Sequence, residues 1–228
     1  MKNCLAPVAV LVSLAFVHTL PALPMKHILV LGDSLSEGFL LKHSEAWPAL
    51  VTDKLRAAGL NYDLLNASQS GGTTQGGLRR LPPHLKRKID IFILQLGIND
   101  VFRGVPVDEI RKNLQEIIDQ VKRAHPNARI VVVGMQLPHY SADDYVSAFG
   151  KMYVDLAAKN HAALVPYLLE GVGGDPQLNF PDRLHPNAAG QKILAENVWR
   201  VLEPIAREVS GVSSRAERGT SPSEARSH

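Results

Sequence analysis

The stretch HILVLGDSLSEGF, His27 to Phe39, shows how this chain begins its fold. Four consecutive apolar residues, Ile28–Leu31, are followed at once by Gly32, Asp33 and Ser34. An apolar run without polar alternation is typical of a strand that is covered on both faces of a parallel sheet. The glycine and the two polar residues predict a tight turn where this strand ends.

Four further apolar runs predict strands, and they alternate with helical patterns. The predicted strands are Tyr62–Ala67, Ile91–Leu96, Arg129–Met135 and Ala163–Tyr167, and the predicted helices span about 46–58, 107–124, 142–160 and 187–207. This alternation predicts a single-domain α/β fold, a three-layer α/β/α sandwich with a five-stranded parallel sheet. We expect the flavodoxin-like strand order, because only five strands are evident.

The two ends of the chain differ from this central region. Residues 1–24 combine a basic start, an apolar run and a Pro/Ala-rich exit, which predicts a signal peptide and a periplasmic or secreted protein. The alternative is that Met25 is the true start and the protein is cytoplasmic. Residues 209–228 are small, polar and charged, which predicts a disordered tail. The folded domain is therefore expected over residues 25–208.

The composition argues against several classes of function. The 228 residues are 45% hydrophobic and 21% charged, as in ordinary soluble domains. The net charge is only +3 and no basic run interleaves with aromatic residues, so we expect no nucleic-acid binding. The N-terminal apolar run is too short for a spanning helix, so we expect no stable membrane insertion. The one cysteine is Cys4 and the nine histidines lack metal-ligand spacing, so no metal site is expected.

Polar or glycine-rich segments follow the predicted strands. They are GDSLS (Gly32–Ser36), SQSGGTTQGG (Ser68–Gly77), GIND (Gly97–Asp100) and, beyond the fifth strand, DRLH (Asp182–His185). Ligands of open parallel α/β sheets bind outside the carboxyl ends of the strands. Four such segments at one edge therefore predict a binding or catalytic site there.

Ser34, Asp182 and His185 are the groups that a serine hydrolase needs. A serine hydroxyl is a poor nucleophile until a base removes its proton. Asp182 and His185 are three residues apart, so the carboxylate can lie beside the imidazole and orient it toward a serine. Pro186 and Asn187 are expected to begin the last helix and to hold the imidazole on a rigid element. The alternatives are that Ser34 only caps a turn and that His185 lies in an ordinary loop.

Hydrogen-bond donors for a negative oxygen are the second requirement of ester hydrolysis. The candidates are the backbone N–H of Ser34, the backbone N–H of Gly71 and the side-chain amide of Asn99. Gly71 has no Cβ to keep a substrate away from the backbone, and Asn99 follows a predicted strand end. Taken singly, these residues could equally form a flexible glycine loop and an Asn-Asp turn.

In this order and at these positions, the four segments resemble the blocks of the SGNH hydrolases, the GDSL family of serine esterases. The similarity is greatest to the bacterial thioesterase I, arylesterase and lysophospholipase group. The resemblance implies Ser34 as nucleophile, His185 as general base and then acid, and Asp182 as the orienting carboxylate. It also implies Gly71 and Asn99 as oxyanion donors and no cofactor.

Two departures from the family pattern concern the substrate. Close relatives often have Asp after the second-block glycine and a second glycine before the Asn, whereas this chain has Gly72 and Ile98. Ile98 adds bulk beside the cleft. It belongs to a group of candidate substrate-binding residues at the ends of strands three and four, which are Ile98, Phe102, Leu137, His139 and Tyr140.

The predicted activity is hydrolysis of carboxylic esters or thioesters through an acyl-enzyme on Ser34. The expected substrates are small molecules: short- to medium-chain acyl esters, aryl esters, acyl thioesters or lysophospholipids. One alternative keeps the fold and makes the protein an acetyl-sugar esterase or an acyltransferase. The other alternative is a non-catalytic flavodoxin-like module whose glycine loops bind an anion.

Overall fold

A five-stranded parallel sheet forms the centre of the computed structural model, which describes residues 24–137 and 144–212. The strands are β1 (Lys26–Gly32), β2 (Tyr62–Asn66), β3 (Ile91–Gln95), β4 (Arg129–Val133) and β5 (Ala163–Val165). Their order across the sheet is β2-β1-β3-β4-β5 and every neighbouring pair is parallel. The predicted flavodoxin-like order is confirmed.

Seven α-helices connect and cover these strands within the described residues. They are α1 (Ser34–Glu37), α2 (Trp47–Ala57), α3 (Thr74–His84), α4 (Ile98–Phe102), α5 (Val107–Ala124), α6 (Asp144–Asn160) and α7 (Ala188–Val209). Helix α2 packs beside α7, while α5 packs between α3 and α6. The two groups form the outer layers of the sandwich. None of the helices in the described part of the chain is long and apolar enough to cross a membrane.

The central strand β3 is completely buried, which makes the carboxyl edge of the sheet rigid. All five of its residues are buried, and Ile91–Leu94 are at most 1% exposed. Burying one such aliphatic or aromatic side chain stabilises the fold by about 1.5–3 kcal/mol. Loops that leave this strand therefore begin from a backbone that packing holds in place.

Helix α3 occupies a segment, Thr74–His84, in which no helix was predicted. Glycines and prolines disfavour helices, and this segment contains two of each. Tertiary contacts override that preference, since Leu81 is fully buried and a Cβ on Gly77 would lie 2.5 Å from a Leu96 methyl carbon. The Thr73 side chain caps the helix by accepting a hydrogen bond from the Gly76 N–H at 3.0 Å.

The C-terminal helix continues beyond residue 208, the predicted end of the domain. Val209 is the last residue of α7, the Ser210 hydroxyl donates to the Tyr62 hydroxyl oxygen at 3.2 Å, and Val212 packs against the core. Val209 and Val212 thus extend the contact between the C-terminal segment and the core by about one turn. Residues 213–228 of the predicted tail and residues 1–23 of the predicted signal peptide lie outside the described residues, as does the predicted start of α6 at about residue 142.

Candidate active site

The turn after β1 presents Ser34 at the edge of the sheet. Asp33 caps α1 by accepting a hydrogen bond from the Leu35 N–H at 3.0 Å, and Ser34 is the first residue of that helix. A Cβ on Gly32 would lie 2.7–2.8 Å from Ser36 side-chain atoms and 2.8 Å from the Ser68 hydroxyl. The turn can close this tightly only around a glycine, and it leaves Ser34 7% exposed.

Ser34, His185 and Asp182 form one continuous hydrogen-bonded chain. The Ser34 Oγ lies 2.9 Å from Nε2 of His185, although the two residues are 151 positions apart in the chain. Nδ1 of the same ring lies 2.7 Å from Oδ2 of Asp182. A carboxylate at Nδ1 favours the tautomer whose proton is on Nδ1, which leaves Nε2 free to accept the serine proton.

Asp182 is fixed by its own loop. Its Oδ1 accepts hydrogen bonds from the backbone N–H groups of Leu184 (2.9 Å) and His185 (3.0 Å). Partial burial raises the pKa of Asp182, but the His185 and Leu184 hydrogen bonds lower it by more, to about 2. The carboxylate is therefore ionised at every pH at which imidazoles titrate.

The His185 ring is held from two further directions. The Phe39 ring packs on it with centroids 4.4 Å apart. The His185 carbonyl accepts a hydrogen bond from the Phe180 N–H at 2.8 Å. The helix after it begins at Ala188, one residue after the predicted start at about 187, because Asn187 is the N-cap and its side chain accepts from the Ala189 and Gly190 N–H groups. The imidazole is therefore positioned by a loop and anchored by the start of α7.

The predicted oxyanion donors lie around the same cavity as Ser34. Gly71 has φ +71°, a left-handed conformation that a side chain would strain. The Asn99 amide donates one hydrogen bond to the Gly72 carbonyl at 3.1 Å, which fixes its orientation. An amide NH₂ carries two donors, so one remains for a ligand. Ser34, Gly71 and Asn99 all line one cavity of about 210 Å³, which we call the catalytic cavity.

The other walls of this cavity are mainly apolar. Of the predicted substrate-binding residues, Ile98 and Phe102 line it, whereas Leu137 packs against the core and is not among the lining residues. His139 and Tyr140 lie outside the described residues. The apolar lining residues that the sequence analysis did not single out are Leu35, Phe39 and Leu184. Each is a neighbour, within five positions, of Ser34 or His185, which is the signal that could have identified them.

A buried polar network lies beneath Ser34 and was not predicted from the sequence. Gln95 accepts a hydrogen bond from the Ser36 hydroxyl at 2.6 Å and donates to Asp33 Oδ2 at 3.2 Å. The Trp47 indole N–H donates to the Ser36 oxygen at 3.2 Å. Burial raises the pKa of Asp33 to about 7, against the hydrogen bonds from Leu35 and Gln95. The signal was a lone polar residue, Gln95, within an otherwise apolar strand, because a buried amide must find partners.

Asn99 supplies a test of the oxyanion arrangement. We expect Asn99→Ala to lower kcat by about a hundredfold to a thousandfold with little change in KM, because an oxyanion donor acts mainly in the transition state. Steady-state kinetics on p-nitrophenyl butyrate would measure both constants. The matched control is Asn113→Ala, since Asn113 donates to Thr74 Oγ1 at 3.1 Å on the neighbouring helix and does not line the catalytic cavity. An effect of Asn99→Ala on KM alone would contradict the assignment.

Comparison with known proteins gives consistent results. The model of the GDSL-like Lipase/Acylhydrolase family matches residues 30–193. The chain is 38% identical over 179 residues to Esterase TesA of Pseudomonas aeruginosa, covering 78% of this chain and 88% of that protein. It is 36% identical over 184 residues to Thioesterase 1/protease 1/lysophospholipase L1 of Escherichia coli K12, covering 80% and 86%. The structure of the psychrotrophic esterase EstA from Pseudoalteromonas, inhibited by monoethylphosphonate, superposes with a TM-score of 0.73 at 29% identity, covering 78% and 97%.

Proposed function

This chain belongs to the GDSL-like lipase/acylhydrolase family and is a serine esterase, and we propose that it works through an acyl-enzyme on Ser34. The observation that carries the proposal is the hydrogen-bonded chain from Asp182 through His185 to the Ser34 hydroxyl. A nucleophile, a base and a carboxylate that orients the base are the parts that acyl transfer requires.

The geometry supports a two-step mechanism. His185 Nε2 takes the Ser34 proton as Oγ attacks the carbonyl carbon, and the resulting oxyanion receives hydrogen bonds from the donors of Ser34, Gly71 and Asn99. The imidazolium then gives its proton to the departing alcohol or thiol, which leaves an acyl-enzyme. Water enters, gives a proton to His185 and attacks the acyl carbonyl, and Oγ leaves with the proton from the ring. Ser34, His185 and Asp182 thereby return to their starting protonation states.

The shape of the cavity supports short- to medium-chain acyl groups. Its volume is about 210 Å³ and its apolar walls include Ile98 and Phe102. Phe102 is 61% exposed, so the cavity opens to solvent beside it. Acyl thioesters and lysophospholipids remain within the proposal, because a similar protein bears the names thioesterase and lysophospholipase.

A chain-length series tests this proposal. We expect kcat/KM on p-nitrophenyl esters to peak at short or medium acyl chains and to fall for long ones, because a longer chain would leave apolar surface in water. A fluorophosphonate should label Ser34 in the folded protein. Activity restricted to acetylated sugars would favour the acetyl-sugar esterase, transfer to an added alcohol would favour the acyltransferase, and absence of labelling would favour the non-catalytic anion-binding module.

We also propose that residues 1–24 direct export to the periplasm or the medium. The proposal rests on the basic start, the apolar run and the Pro/Ala-rich exit of this segment. N-terminal sequencing of the protein from its native host distinguishes the two alternatives. A retained Met1 would contradict processing, and a cytoplasmic protein beginning at Met25 would support the later start.

A further inference from the structure

A second cavity adjoins the catalytic one. Its volume is about 480 Å³, and it shares Ser70 and Gly71 with the wall of the catalytic cavity. The glycine-rich loop 69–73 and Gly76 form one part of its lining, and three arginines, Arg79, Arg80 and Arg103, form the rest. No carboxylate of the described residues belongs to this lining. We call it the arginine cavity.

The three guanidinium groups form no ion pair within the described part of the chain. Within residues 24–137 and 144–212, none of them lies within 4.0 Å of a carboxylate oxygen. Arg80 donates from Nη2 to the Gly32 carbonyl and Arg103 from Nη1 to the Gly71 carbonyl, both at 3.1 Å. Arg80 Nε is buried and has no hydrogen-bond partner among the described residues. Each of these two side chains is thus held in place by a neutral carbonyl and not by an ion pair.

Three acidic groups, Glu37, Asp33 and Asp100, interact electrostatically with these arginines without forming an ion pair with them. Burial raises the pKa of Asp100 and the Arg103 charge lowers it. Glu37 already accepts two hydrogen bonds from Ser70, through its backbone N–H at 2.7 Å and its hydroxyl. Asp33 is fully buried beneath Ser34. Burial lowers the pKa of Arg80, the charge of Asp33 raises it, Arg79 lowers it and Glu37 raises it. Three cations around one open cavity therefore attract an anion from solvent.

Two glycines allow the guanidinium of Arg80 to lie against the loop. A Cβ on Gly72 would be 3.2 Å from both terminal nitrogens of Arg80, and a Cβ on Gly76 would be 3.3 Å from Nη1. With no side chain at either position, the planar group packs close to the backbone. Guanidinium groups present paired N–H donors that match the oxygens of a phosphate.

The position of the cavity indicates which part of a substrate would reach it. An ester bound at Ser34 has two arms, the acyl chain and the alcohol or thiol. The apolar walls at Leu35, Phe39 and Ile98 suit the acyl chain. The other arm would then extend past Ser70 and Gly71 into the arginine cavity.

We propose that the arginine cavity is a leaving-group subsite that binds a phosphate carried by the alcohol or thiol portion of the substrate. The enzyme then prefers acyl esters whose leaving group bears a phosphate over otherwise identical neutral esters. The inference rests on the proposed function, because it takes Ser34 as the attacking group and Gly71 as an oxyanion donor.

A pair of soluble esters isolates the effect of the phosphate. 1-Butyrylglycerol and 1-butyrylglycerol 3-phosphate share the acyl group, the ester bond and the glycerol. We expect kcat/KM for the phosphorylated ester to be at least about tenfold higher at low ionic strength, and the preference to shrink as added salt screens the charges. Two further comparisons identify the source of the phosphate. Faster hydrolysis of butyryl-glycerophosphocholine than of 1-butyrylglycerol would indicate a lipid headgroup. Faster hydrolysis of butyryl-coenzyme A than of S-butyryl-N-acetylcysteamine would indicate a nucleotide-bearing thiol.

Arginine variants assign the preference to the cavity. Arg79→Gln should lower the ratio of the two kcat/KM values by about threefold to tenfold, and Arg79→Gln with Arg103→Gln should bring it close to one. Arg103 also contacts the Gly71 carbonyl, so its replacement can disturb the oxyanion loop. Such a disturbance lowers kcat/KM for both esters and leaves their ratio unchanged, which is why the ratio is measured. Arg79→Lys keeps the charge and should keep most of the preference. Arg56→Gln is the matched control, since Arg56 is exposed on α2 and pairs with Asp53.

The outcomes separate this inference from the proposed function. Equal kcat/KM values for the two esters in the wild type, or a ratio that the Arg79 and Arg103 changes leave intact, would overturn the subsite and leave the esterase mechanism standing. Glycerol 3-phosphate should also inhibit p-nitrophenyl butyrate hydrolysis more strongly than glycerol does, and equal inhibition would count against the subsite. Failure of a fluorophosphonate to label Ser34 would instead remove the proposed mechanism.

Discussion

Ser34→Ala is expected to lower kcat by about ten-thousandfold to a millionfold, with Tm close to that of the wild type. The change removes the attacking oxygen, so no acyl-enzyme can form. It should be nearly neutral for stability, because the hydroxyl makes its hydrogen bond to His185 at the cavity surface and α1 keeps its Asp33 cap. Steady-state kinetics and a thermal melt measure the two effects.

Ser36→Ala is the matched control, because this serine stands two residues away on the same short helix. Its hydroxyl is buried, donates to Gln95 and accepts from Trp47. Its loss leaves the buried Trp47 indole N–H without this partner, which costs about 1–3 kcal/mol, whereas Gln95 Oε1 keeps the hydrogen bond from the Asp33 N–H. We therefore expect a lower Tm with retained labelling by a fluorophosphonate. Ser34→Ala activity within tenfold of the wild type would eliminate Ser34 as the nucleophile.

Asp182→Asn is expected to lower kcat by about a thousandfold to ten-thousandfold. The Asn oxygen can still accept the Leu184 and His185 backbone hydrogen bonds that Oδ1 accepts now. Its NH₂ group would then face Nδ1 of His185 where Oδ2 lies at 2.7 Å. A donor at that point favours the tautomer with the proton on Nε2, which cannot take the proton of Ser34.

Asp175→Asn is the control for this change, since Asp175 likewise accepts a backbone hydrogen bond, from Gln177 at 2.7 Å, but does not line the catalytic cavity. Wild-type activity in Asp182→Asn would contradict the role of the carboxylate. The pKa of Asp182 is lowered to about 2 from 3.8. Its stabilising contribution is therefore present above about pH 4 and is lost as the pH falls through about 2. The Tm difference between the wild type and Asp182→Asn should narrow over that interval.

Local patterns were sufficient to predict the sheet and most of its helices. A strand such as β3 is recognisable because consecutive apolar residues are buried on both faces, and α5 because its apolar residues recur at 3.6-residue spacing. The predicted span of α5, 107–124, agrees with the structure at both ends. Burial follows side-chain chemistry, so the sequence alone predicts which segments enter the core.

Helix α3 could not be predicted from local sequence patterns. Its glycines and prolines disfavour a helix locally, and the packing of Leu81 and Gly77 against the sheet is what stabilises it. Arg79 and Arg80 on the same helix, and Arg103 after α4, are brought to one cavity only by that packing. A contact between distant segments depends on the positions of every element between them.

The sequence by itself determined the fold class, the strand order and the set of chemical groups at the carboxyl edge, because these follow from burial and from the types of residue present. Only the tertiary structure decided that Ser34 and His185 stand 2.9 Å apart, that Leu35, Phe39 and Leu184 complete the cavity walls, and that Gln95 supports the turn from below. Hydrogen bonds act over about 3 Å, and such distances between remote residues exist only once the core has packed.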